Sequence, residues 1–177
     1  MSSEIAIFLG CLLPGLHTAY TDIKRGVIYD VVTLLIFLAG LIYAMINGTY
    51  IYAFLGCALG FLSFFIVAWI TNGSLGGGDI KLAAGIGIWF GYQDTILIIV
   101  LAVFAGVVYE LFCYWRQGML VKLFRDRLYP YVRKILLRFG YRMKKIDLSV
   151  DTKYKPIPFA PFLIAGSWAV WGMRFFF

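Results

Sequence analysis

Two aspartates, Asp22 and Asp79, stand out in a chain whose side chains are mostly apolar. Asp22 closes one apolar run in "HTAYTDIKRG". Asp79 opens another in "GSLGGGDIKLAAG", directly after Gly76, Gly77 and Gly78. Ionisable groups and bare backbone are both costly near a bilayer, so carboxylates kept there are functional candidates. Two carboxylates held close cannot both ionise easily, and they can share a proton. One then deprotonates a water while the other protonates the carbonyl oxygen of a peptide. The glycines let the backbone take positive φ and leave room for an extended peptide. Glycine-flanked backbone could also pair with an unwound substrate strand, as in strand addition. The plainer reading pairs Asp22 with Lys24 or Arg25, and Asp79 with Lys81.

The remaining ionisable groups are weaker candidates. Asp30 and Glu110 fall near the ends of apolar runs, where each could pair with a nearby base or support a site. Glu4 and Asp94 read as solvated. His17, the single histidine, lies five residues before Asp22, roughly 140° away around a helix. That suits a polar contact inside a bundle better than catalysis. Cys11, Cys57 and Cys113 all fall in apolar runs and form no CxxC pair, so they read as small apolar side chains rather than as a zinc site or disulfides. The residues therefore imply no metal and no cofactor.

The elements that must hold these groups are membrane helices. Of 177 residues, 62% are hydrophobic and 14% charged, well below the roughly one quarter charged of a soluble domain. The apolar runs are punctuated by turns rather than alternating with period two, which favours helices over a barrel. The reading is an all-α, polytopic helical bundle with about six transmembrane helices, forming one membrane-embedded domain over 1–177. Spans are placed near 5–21, 27–46, 50–71, 77–93, 94–115 and 157–176, with "YQD" (92–94) joining the fourth to the fifth. "MSSEIAIF" has no basic n-region, so the first run reads as a retained helix.

Basic residues set the orientation. The connection 116–156 holds 12 of the 16 lysines and arginines. Lys24 and Arg25 follow span one, and Lys81 follows span three, whereas 47–49 and 92–94 carry none. Six crossings put every basic connection on one side, the cytoplasm, with the N-terminus outside and both aspartates at the cytoplasmic face. Only Arg174 sits awkwardly. Within 116–156, apolar residues recur every three or four positions from Leu120 to Met143, with basic residues between them. This cytoplasmic insertion reads as amphipathic helix on the membrane surface, broken at Pro130 and facing anionic headgroups. An apolar stripe is not what phosphate binding needs, so no nucleic-acid role is expected.

Three motifs in order carry a family resemblance. Gly76-Gly77-Gly78-Asp79, followed by Lys81 and Leu82, resembles the GxGD signature of the type IV prepilin peptidase family and its archaeal preflagellin peptidases. "DIKRGVIYD" is similar to that family's first aspartate motif, with Ile28 matching and Tyr29 and Asp30 replacing proline and asparagine. "PIPFAPFLIAG" resembles the opening of the family's last span, with Ala160 for a glycine between Pro158 and Pro161. The resemblance implies a metal-independent aspartic endopeptidase of the plasma membrane, with Asp22 and Asp79 catalytic. Gly76, Gly77, Gly78 and Lys81 would then shape the substrate site, with Asp30, Glu110, Pro158 and Pro161 in support. The implied partners are prepilin-like or preflagellin precursors, cut behind a basic leader. Bifunctional members carry a CxxC-bearing domain between spans one and two. About five residues join those spans here, so methyl transfer is not expected and the compact peptidase-only form is favoured. The alternatives are a small proton-coupled transporter and a non-catalytic pilus assembly factor.

Overall fold

A computed structural model describes residues 2–70, 75–116 and 158–176. All regular structure among them is helical. The chain opens with α1 (Ser2–Ile7), one π-helical stretch (Phe8–Leu12) and α2 (Leu13–Arg25), which run on without a break. The π turn has a local cause. Pro14 has no N–H to give the preceding turn, and the Leu13 N–H reaches back five residues to the carbonyl of Phe8. Gly26, left-handed at φ 64°, ends α2 by donating to the Asp22 carbonyl. Then come α3 (Asp30–Ile46), α4 (Tyr50–Ile70), α5 (Gly77–Arg116) and α6 (Ala160–Phe176).

α5 is two helices in one. Gly91 inside it has φ 71° and ψ 179°, a conformation open only to glycine. The expected junction of the fourth and fifth runs is therefore real, but it is this one residue. Tyr92, Gln93 and Asp94 are already helical, not a connecting loop.

The chain forms two compact units, Met1–Gly106 with Pro156–Phe177, and Val107–Lys155. Of the second, only 107–116, the end of α5, are described. The amphipathic segment expected over 116–156 thus lies outside the described residues beyond Arg116.

The first unit packs around Leu12, Ile36, Leu82, Ile86, Leu163 and Ile164, all essentially inaccessible. Helix α4 shows what surrounds that core. Its buried face is Ala53, Gly56, Gly60 and Phe64, while Phe54 and Trp69 are 73% and 77% exposed. Small residues inside and large apolar ones outside is the pattern of a helix packed against neighbours within lipid. Gly56 and Gly60 lie against the backbone of Gly87 and Ala83, so α4 and α5 touch main chain to main chain. Among the described residues two helices, Tyr50–Ile70 and Gly77–Cys113, are long and apolar enough to span a bilayer.

Candidate active site

Asp22 sits in the last turns of α2 with 8% of its surface exposed. Its Oδ2 accepts a hydrogen bond of 3.1 Å from the backbone N–H of Ala160, the first residue of α6. Helix N-termini leave N–H groups without internal partners, and their dipole favours a nearby anion. Phe159, the residue before α6, lies edge-on to Phe64 with ring centroids 5.4 Å apart, and its carbonyl accepts the first N–H bonds of that helix from Phe162 and Leu163. Burial pushes the Asp22 carboxyl above the ordinary carboxylate value, and the Ala160 N–H offsets part of that rise.

Asp79 lies in the first turn of α5, 9% exposed, and its N–H bonds the Gly76 carbonyl at 3.1 Å. Its Oδ1 is buried and has no hydrogen-bond partner. Asp22 and Asp79, distant in sequence, stand on helix ends that pack together, because Ile28 in the turn after α2 lies against Gly78 beside Asp79. Neither is ion-paired among the described residues. The plainer pairing fails for identifiable reasons. Lys81 bonds Asp30 at 2.8 Å, Arg25 donates to the Tyr29 hydroxyl at 2.7 Å, and Lys24 lies over the Tyr20 ring.

The glycines have distinct parts. A side chain on Gly78 would drive into Ile28, whose Cβ would lie 2.8 Å from the added atom. The turn after α2 thus packs directly on the start of α5. A Cβ on Gly76 would sit 3.3 Å from Asp79 Oδ2, a tight approach to the carboxylate. Gly77 faces open space.

Of the supporting candidates, Asp30 and Lys81 form one exposed ion pair that bridges the starts of α3 and α5. Pro161 occupies the first turn of α6 and Pro158 precedes it. It is the Ala160 main chain between them, rather than either proline, that bonds Asp22. Glu110 belongs to the second unit. Three expectations are corrected. His17 is exposed, its ring 6.5 Å from that of Tyr29, and not inside the bundle. Asp94 is ion-paired with Arg174, which resolves the awkward placement of that arginine. Glu4 is not simply solvated, because its Oε2 is buried.

Two buried carboxylates, one tied to a helix N-terminus and the other with a free oxygen, can hold a water and share a proton. Sequence reasoning reached both aspartates but not the Ala160 N–H. Only "PFAPF" marked that stretch, and a main-chain donor has no residue signature.

Residues 6–111 match the model of the type IV leader peptidase family. A prepilin leader peptidase/N-methyltransferase of Xanthomonas campestris pv. campestris is 27% identical over 94% of this chain and 50% of its own length. Its namesake in Pectobacterium carotovorum subsp. carotovorum is 32% identical over 54% of this chain and 36% of its own. One from Burkholderia pseudomallei is 27% identical over 82% and 39%. The chain spans at most about half the length of these curated relatives. No solved structure matches. With more than half of its residues matched by that model, the chain belongs to the type IV leader peptidase family.

Proposed function

We infer that the chain is a membrane-embedded aspartic endopeptidase that removes the leader from prepilin-like or preflagellin precursors, with Asp22 and Asp79 as its catalytic pair. One observation carries the reading: two buried carboxylates on helix ends that pack together, unpaired with any described cation, one keeping a free oxygen. The names of the relatives supply the substrate class.

In this mechanism Asp22, whose charge the Ala160 N–H supports, takes a proton from a water placed between the carboxylates. The water oxygen attacks the scissile carbonyl carbon. Protonated Asp79 gives its proton to the carbonyl oxygen. Collapse of the tetrahedral species breaks the C–N bond as the proton on Asp22 passes to the leaving amine and one hydroxyl of the gem-diol returns its proton to Asp79, which leaves a carboxylic acid and restores both aspartates. The open space at Gly77 and the bare backbone of Gly76 and Gly78 let an unwound peptide reach Asp79. Lys81 and Asp30 brace the first turns of α5 and α3. The short link from Gly26 to Tyr29 leaves no room there for an inserted domain, consistent with peptidase chemistry alone.

The chain is read as crossing the plasma membrane six times, with Gly91 dividing the fourth crossing from the fifth, the N-terminus outside and the aspartates at the cytoplasmic face. The basic residues of 116–156 are proposed to interact with anionic headgroups.

The test is cleavage of a prepilin-like precursor by the chain in membranes or detergent. Asp22→Asn and Asp79→Asn each lower the rate by about 10³-fold or more while the fold is kept, as loss of an essential acid or base predicts. Chelators leave the rate unchanged. A variant that still cuts at near the parent rate removes that aspartate from the pair.

A further inference from the structure

A cavity of about 300 Å³ lies at the other end of the first unit from the aspartates. Its residues come from the opposite ends of the same helices. Along α5, Gly91 is about 18 Å from Asp79, at 1.5 Å per residue. Glu4 opens the first helix that Asp22 nearly closes, and Arg174 nearly closes the α6 that Ala160 opens.

Two irregularities of the main chain adjoin it. The Gly91 break interrupts α5 there, where the Phe90 carbonyl accepts from Arg174 and the Gly91 carbonyl from the Thr95 hydroxyl. The π-helical stretch brings Gly10 against the ring of Trp89, which lines the cavity. That ring is locked by its Nε1 donating to the Ile36 carbonyl at 2.9 Å.

The charges inside do not balance. Arg174 is spent, since it pairs with Asp94 and donates to the Phe90 carbonyl. Glu4 lines the cavity, and its buried Oε2 has no partner. The space is therefore left with a buried carboxylate oxygen that has no partner, which favours a cation. Its walls are aromatic: Tyr43 is stacked on Trp89 at 5.3 Å and Tyr52 on Tyr92 at 6.1 Å. Hard metal cations select several oxygen ligands, whereas organic ammonium groups select ring faces with one carboxylate. The volume also suits a headgroup rather than a bare ion.

The geometry points to a binding site for an organic ammonium group, held by Glu4 and the rings of Tyr43, Tyr52, Trp89 and Tyr92. The ammonium comes from a zwitterionic phospholipid headgroup or from a free amine. The site is separate from the aspartate pair and does not depend on the peptidase reading.

The test uses the full chain in detergent, titrated with choline chloride against sodium chloride at equal ionic strength. It is repeated in nanodiscs of phosphatidylcholine, phosphatidylethanolamine or phosphatidylglycerol, and tryptophan emission and the thermal midpoint are read. Choline or the zwitterionic lipids shift both saturably, and phosphatidylglycerol does not. A response to lipid but not to choline assigns a phospholipid source; a response to choline alone assigns a soluble amine. Glu4→Gln, which keeps the shape, weakens the response at least tenfold, and so does Tyr52→Leu. Helical circular dichroism and a single size-exclusion peak in detergent report that both variants are folded. No saturable response to any ammonium probe, an equal response to phosphatidylglycerol, or an undiminished response in Glu4→Gln overturns the site.

Discussion

At the scale of single residues, the "GGGD" run divides into positions of unlike tolerance. Gly78 is pinned by Ile28, so any Cβ there must push the turn after α2 away from α5. Gly77 meets nothing and has no positive φ. Gly78→Ala is therefore expected to cost about 1–3 kcal/mol of stability, the range for overpacking, and to lower cleavage by moving Asp79. Gly77→Ala is expected to stay within about 0.5 kcal/mol of the parent, as at open positions. Thermal unfolding in detergent, run beside a cleavage assay, separates the two. Equal losses would show that the run acts through backbone freedom rather than through the Ile28 contact. The sequence singled out all three glycines alike because a sequence shows where a side chain is missing, not what would have met it. The same blindness misplaced His17, Glu4 and Asp94. Helix angle says which face a residue shares, but the partner of Asp94 is Arg174, 80 positions on and on another helix.

At the scale of elements, Asp79 is positioned by a helix that α4 grips through its backbone. Gly56 and Gly60 face Gly87 and Ala83 with no side chains between. Without hydrophobic force between helices in lipid, such close approach supplies much of the packing energy. Gly60→Leu cannot be absorbed by a rotamer change, because the clash is with the Ala83 carbonyl and not with a flexible side chain. It is expected to separate α4 from the first half of α5 and to lower both the thermal midpoint and the cleavage rate. Phe61→Leu, on the exposed face one residue away, serves as the control and should change neither much. Loss in both variants would mean that α4 matters through its outward surface. The long apolar runs made the helices themselves legible, with ends within a few residues of those observed. The single-residue break at Gly91 was not, because one glycine in an apolar run carries the same letter whether it sits in a helix or interrupts one.

For the whole molecule, crossing number is what joins the two ends of the bundle to two sides of a membrane. The aspartates cluster at one end of the first unit and the cavity at the other, and α5 and α6 contribute to both. Six crossings place the turn at 26–29 and the start of α5 on one side, with 47–49 and 91–94 on the other. Single cysteines introduced at Asn47 and at Gly26, in a background with Cys11, Cys57 and Cys113 replaced by serine or alanine, are expected to react oppositely with a membrane-impermeant maleimide on intact cells. Asn47 should label from outside, and Gly26 only after the membrane is opened. Labelling of both from the same side would remove the crossing between them, α3. It would also part the pairing of Asp22 with the cytoplasmic face, since the basic residues that orient the chain, Lys24 and Arg25, adjoin Gly26 directly. Because the Asp22–Ala160 bond ties the end of α2 to the start of α6, the same experiment constrains the side on which α6 begins. A label at Asn47 alone from outside thus supports one placement for Asp22, Asp79 and Ala160 together, at the face where a precursor's basic leader would meet them.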